Sequence, residues 1–156
     1  MEDQIKVLYR GKKVTIPFSE KSDLSEEYQT LSKEFFQSKN EFILSYLEKL
    51  PIGNWSIESE NLLDNIQINS SNVKQANNLA FRLENGNEFE GAIILLERII
   101  HKSPDRVVAY LNLADAYWGI DNKEKAKENY KKYIELMINQ GKDLKRIPQR
   151  VYDRSK

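Results

Sequence analysis

The chain has 156 residues, with 24 basic and 24 acidic side chains, no cysteine and one histidine. That length allows one compact domain or a short array with an appended element, and the composition excludes disulfides, a thiol nucleophile and cysteine-ligated metal, leaving His101 as the single imidazole. Residues 1–72 carry eight basic against twelve acidic side chains and residues 73–156 sixteen against twelve, with the whole basic excess after Asn139.

The polar, acidic start from Met1 to Lys6 predicts no secretory leader, and no apolar run is long enough to span a membrane. The expectation is a cytoplasmic protein. Within residues 1–18, Ile5, Val7 and Tyr9 alternate with polar residues, Arg10-Gly11-Lys12 interrupts, and Val14, Ile16 and Phe18 alternate again. Period-two patterning on both sides of a glycine predicts a β-hairpin, with Pro17 confining the second strand to an edge or an end. Residues 23–50 read as helical. Asp23-Leu24-Ser25-Glu26 is a capping pattern, and Tyr28, Leu31, Phe35, Phe42, Tyr46 and Leu50 recur at helical spacing. The polar stretch Gln37 to Asn40 leaves one helix or two open, and Pro51 ends the segment. Residues 51–71 are a connector with a short helix expected from Glu58 to Ile66, anchored by Trp55, Ile57, Leu62 and Leu63.

From residue 72 to 140 the chain repeats itself at an offset of thirty-four. Ala76 matches Tyr110, Leu79 matches Leu113, Ala80 matches Ala114, Leu83 matches Tyr117, Ala92 matches Ala126, Leu96 matches Tyr130 and Ile99 matches Tyr133. Each pair holds a small or apolar side chain where a helical hairpin needs one, and a period of this size marks units that must stack to bury their apolar faces. Helix starts are expected after Asn72, Asn87, Ser103-Pro104 and Asp121, three of them with Gln or Glu three residues on. Residues 73–106 and 107–140 resemble two tetratricopeptide repeats. The resemblance is carried by the alanines at 80, 92, 114 and 126, by Leu79, Leu83, Phe89 and Leu96, and by Pro104. Tyr133, Ile138 and Lys123 depart from the family pattern.

Residues 141–156 form a basic tail, with Lys142, Lys145, Arg146, Arg150, Arg154 and Lys156 against Asp143 and Asp153. Leu144, Ile147, Val151 and Tyr152 could cover the last hairpin as a turn or two of helix, and Pro148 argues against one unbroken helix. The fold expected is therefore mainly α, with two stacked tetratricopeptide-like hairpins preceded by an N-terminal β-hairpin and one or two helices, all forming one compact unit.

The candidate chemical groups are sparse. His101 lies near a helix end with no partner in the sequence that would make it a general base. Glu58, Glu60 and Asp64 lack the spacing of a calcium loop, and the glycines form no phosphate-binding loop. No metal, cofactor or catalytic residue is expected, and the chain is read as no enzyme. The resemblance implies an inner face built from the first helix of each unit, which would present Asn77, Phe81 and Glu84, then Leu111, Asn112, Asp115 and Trp118, to a partner protein. The function expected is a protein–protein interaction module for one specific partner, such as an immunity or antitoxin-type inhibitor of a bacterial toxin. An adaptor or co-chaperone, an RNA-binding repeat protein using the basic tail, and a small enzyme with a site around His101 or the acidic cluster are the alternatives. Nucleic acid is the weaker of these because no basic stripe interleaves the helices, and a homodimer stays open.

Overall fold

The computed structural model describes residues 4–9, 12–17, 26–51, 53 and 57–156. The Arg10-Gly11 turn, Phe18, the Asp23 cap and Trp55 lie outside the described residues. So do the side chains through residue 36 and those of Ile57, Glu58, Glu60 and Asp64. The chain divides into two compact units, Met1–Lys39 and Asn40–Lys156, with the boundary inside the segment expected to be helical.

In the first unit, strand β1 (Gln4–Tyr9) pairs antiparallel with β2 (Lys12–Pro17). Ile5 stands opposite Ile16 and Val7 opposite Val14, so the alternating apolar positions share one register. Helix α1 (Glu26–Lys49) runs unbroken through Gln37 to Asn40. Its last ten residues, from Asn40 to Lys49, belong to the second unit, where Ile43, Leu44 and Leu47 are buried in the core.

The second unit is helical. After α2 (Ile57–Asp64) come α3 (Val73–Asn85), α4 (Phe89–Lys102), α5 (Val107–Gly119) and α6 (Lys123–Asn139). Each of α3 to α6 packs on the next, and α3 also packs on α5. The four repeat alanines, at 80, 92, 114 and 126, have no exposed surface. A larger side chain at any of them would push two helices apart, because close-packed interiors have no slack for added volume. Tyr110, Tyr117 and Tyr130 fill the wider spaces of the second hairpin as buried core residues.

Three helices end in the same way, and this corrects two of the expected caps. Asn87 and Asp121 are not helix-starting caps; both have positive φ, at 61° and 62°. Each closes the preceding helix, with the amide of Glu88 donating to the carbonyl of Leu83 and that of Asn122 donating to Tyr117, both at 2.9 Å. Gly141, at φ 61°, does the same after α6, where Lys142 N–H donates to the Met137 carbonyl at 2.9 Å. This is the six-to-one bond of the Schellman ending, which needs a left-handed residue. The true N-cap of α6 is Asn122, whose side chain accepts from the Lys125 amide, and that of α4 is Glu88. Pro104 likewise does not open α5. It sits in a turn closed by Arg106 N–H on the Ser103 carbonyl at 3.1 Å, and its own carbonyl accepts the Tyr110 hydroxyl at 3.0 Å.

A side chain with a Cβ costs about 1–2 kcal/mol in the left-handed region, less for Asn and Asp. A Cβ at Gly141 would meet nothing within 4 Å, so Gly141→Ala is expected to lose only that conformational term, about 1 kcal/mol. Asn87→Gly should gain a few tenths of that in the opposite sense. Thermal melts followed by circular dichroism read both, and equal melting temperatures in all three proteins would contradict the assignment.

The offset of thirty-four runs one helix further than the tail pattern suggested. Leu144, Ile147, Pro148 and Val151 lie thirty-four residues after Tyr110, Leu113, Ala114 and Tyr117. A 3₁₀ turn (Leu144–Arg146) and helix α7 (Gln149–Arg154) occupy this stretch. Pro148 separates the two, since its ring cannot continue the preceding turn. Ile147 and Val151 are buried, and α7 packs on α6. The basic tail is thus a docked element.

Candidate functional site

The first helices of the two repeats, α3 and α5, were expected to present seven side chains to a partner protein. The structure places them in three situations. Asn77 and Asn112 are buried. Asn77 accepts a hydrogen bond from Nε of Arg106, the residue just before α5, at 3.2 Å, whereas Asn112 Nδ2 has no partner among the described residues. Leu111 is half-buried against the core. Phe81 projects from α3 with 52% of its surface exposed, in a stripe with the exposed Lys74, Asn78 and Asn85.

The remaining three belong to a network with the C-terminal helix. Arg150 donates to Asp115 twice, through Nε to Oδ1 at 3.1 Å and through Nη2 to Oδ2 at 2.7 Å. Arg154 Nη1 reaches the same carboxylate at 3.4 Å and the Tyr130 hydroxyl at 3.0 Å, and that hydroxyl donates to Asp115 Oδ1 at 2.5 Å. Two parallel N–H···O bonds are the strong geometry of an arginine–carboxylate pair. Trp118 meets two cations over its ring, with Lys123 Nζ 3.8 Å and the Arg154 guanidinium 4.3 Å from its ring centroid. Asp115 and Trp118 therefore hold α7 in place.

Glu84 is half-buried on the same side. Burial and the nearby Asp115 charge push its carboxyl above the usual range, and Arg150 only partly opposes them. An acid whose folded pKa is raised destabilises the folded state once it ionises, so the folded protein gains stability as pH falls into that raised range. Glu84→Gln should therefore melt at a higher temperature than wild type at pH 7, with the gap closing as the pH falls toward 4 and the native Glu84 takes up its proton. A gap that widens toward acid would contradict this.

Beside this network lies an open groove of about 660 Å³ where the start of α5 meets the end of α6 and residues 140–146. Val107, Val108, Leu111, Tyr133 and Met137 form its floor. Arg106, Lys142 and Arg146 stand around it with Asp105 and Asp143, and Gln140 Nε2 ties its edge to the Asp105 carbonyl at 2.6 Å. Of the expected residues only Leu111 lines it. The signal for the others was present, since Lys142 and Arg146 lie thirty-four residues after Val108 and Asn112.

A second groove, between α4 and the segment after α2, is lined by Ile66, Ile68, Ile94, Glu97, Arg98 and His101 among others. Glu97 there accepts the Tyr117 hydroxyl and Arg98 donates to the Leu63 carbonyl, so both have structural roles. Among the described residues no group of His, Asp and Glu could hold a metal ion, and no helix is long and apolar enough to cross a membrane.

No protein-family model matches the chain, and no solved structure matches it. The chain is 32% identical over 97 residues to protein O-mannosyl-transferase TMTC3 of Homo sapiens, a stretch that covers 61% of this chain and 11% of that protein. It is 31% identical over 90 residues to the protein of the same name from Mus musculus, covering 56% of this chain and 10% of that one. The chain thus spans about a tenth of the length of these curated relatives. Their name corrects the expectation that the chain is no enzyme: the proteins it is similar to are called transferases, and the sequence-based exclusion of catalysis does not stand against that. The similarity and the stacked helical hairpins are compatible with a tetratricopeptide-like helical-repeat fold.

Proposed function

We propose that the repeat unit binds another protein through the outward side of α3 and the neighbouring start of α5. The observation that supports this reading is Phe81. It is a large aromatic ring, half exposed, on a helix whose other exposed positions are Lys74, Asn78 and Asn85. Aromatic anchors among adaptable polar groups are the residues that dominate binding energy in protein interfaces. At the matching position of α5 stands Asp115, which is taken up by Arg150 and Arg154, so the free anchor belongs to the first repeat.

An adaptor is the broad form of this reading and the one carried here. Neutralisation of one cognate toxin is the narrow form, and the matches to human and mouse transferases lend it no support. The test is capture of partners from the native host by the tagged chain, compared with Phe81→Ala and with His101→Ala. A specific partner should be lost from the Phe81 variant, with apparent affinity down by more than about 1 kcal/mol, and kept by the His101 variant. Retention of every partner by Phe81→Ala would end this reading.

A further inference from the structure

We propose that the groove between the start of α5, the end of α6 and residues 140–146 binds an acidic segment of a partner protein, with carboxylates alternating with aliphatic side chains. This rests on the protein-binding reading above and adds the chemistry of the partner.

Apart from the buried Tyr133, the floor of the groove is aliphatic. Val108 and Leu111 share one face of α5, three residues apart, and Met137 faces them from α6. Val108 is 42% exposed, so there is apolar surface left to cover. The walls carry the charge. Lys142 and Arg146 are exposed and have no ion-pair partner among the described residues, and Arg106 uses only its Nε, on Asn77. Asp105 and Asp143 oppose them, but the Asp143 carboxylate is engaged by the Lys145 amide at 3.0 Å. The positive end of α5 and the negative end of α6 meet here and offset each other, so the side chains set the sign, three cations against two carboxylates.

The same floor decides against nucleic acid. A single strand would need exposed rings on which its bases could stack. The one aromatic residue in the groove, Tyr133, is 5% exposed and forms part of the core. Aliphatic side chains of a peptide fit this floor, and its carboxylates fit the cations as charge-assisted hydrogen bonds.

The test uses the whole chain and fluorescence anisotropy with three labelled probes: a short peptide alternating glutamate and leucine, the same peptide with lysine for glutamate, and a short oligouridylate. The glutamate peptide should bind, more tightly at low salt, and the lysine peptide and the oligouridylate should not. Lys142→Glu and Arg146→Glu should each weaken the glutamate peptide at least about tenfold. Lys127→Glu, near the start of α6 and not among the groove residues, should leave its affinity unchanged, and circular dichroism should show all three variants folded. Equal binding of the two peptides, preference for the oligouridylate, absence of glutamate-peptide binding, or full affinity in folded Arg146→Glu would each overturn the proposal. If any of these occurs while a captured partner is still lost on Phe81→Ala, the groove assignment fails and the protein-binding reading stands.

Discussion

Tyr130→Ala is expected to lower folding stability by about 3–5 kcal/mol, the cost of deleting a large buried aromatic side chain. Tyr130 is the largest side chain with no exposed surface in the described part of the chain. For a chain of this length that corresponds to a melting temperature lower by roughly 6 to 20 °C. The ring stands at the repeat position that Leu96 holds in the first hairpin, and its hydroxyl joins the Asp115–Arg154 pair. Tyr130→Phe separates the two contributions. It keeps the ring and loses the hydroxyl, while Asp115 keeps Arg150 and Arg154, so the expected loss is only about 1 kcal/mol. Urea or thermal unfolding of both variants measures this. Equal losses would mean that the polar network, and not the ring, holds the second hairpin.

The hydroxyl also leaves a mark on the pH dependence. Burial and the hydrogen bond to Asp115 push the Tyr130 phenol up to about 12. The unfolded chain ionises near 10, so the stabilisation held by the protonated phenol is complete below pH 10 and is lost as pH rises toward 12. Tyr130→Phe lacks this group and should lose less stability than wild type across that window. Tyr110, Tyr117 and Tyr133 are also raised, mainly by burial, so the difference between the two curves isolates Tyr130 from their shared background.

The parts of the fold legible in the sequence are those in which one residue type serves one local purpose. The alanines at 80, 92, 114 and 126 announce helix crossings because no larger residue fits there, and all four are fully buried. Helix ends were harder to read. Asn and Asp favour both the N-cap and the left-handed C-terminal position, so Asn87 and Asp121 fitted the first role and perform the second. The candidate face was read least well. Whether Asp115 or Trp118 is free depends on Arg150 and Arg154, more than thirty residues away, and neither pairing leaves a local pattern. Lys142 and Arg146 were read only as part of a basic tail, because Pro148 breaks the helical periodicity that would have revealed the third copy of the offset.

Arg82→Ala should cost about 2–3 kcal/mol, the scale set by hydrogen bonds to a charged group and by carbonyls left without a partner. The Arg82 guanidinium, on α3, donates to the carbonyls of Leu47, Glu48 and Leu50. These belong to the end of α1, where the last carbonyls of a helix have no partner within it. Pro51 follows and prevents the helix from continuing, so the orphaned carbonyls need a donor from elsewhere. A cation at a helix C-terminus also meets the negative end of the dipole. Arg82→Lys should recover less than half of the loss, since an ammonium on a flexible stem cannot match a planar fork spread over three acceptors. The damage should be local. Gln75 still reaches Glu48 at 3.0 Å, and the stacking of α4, α5 and α6 does not involve Arg82. The last turn of α1 should then exchange its amide hydrogens faster and trypsin should cut sooner after Lys49, while amides in α5 and α6 keep their protection. If protection fell uniformly through the helical unit, Arg82 would be holding the stack as a whole and not just anchoring α1 to it.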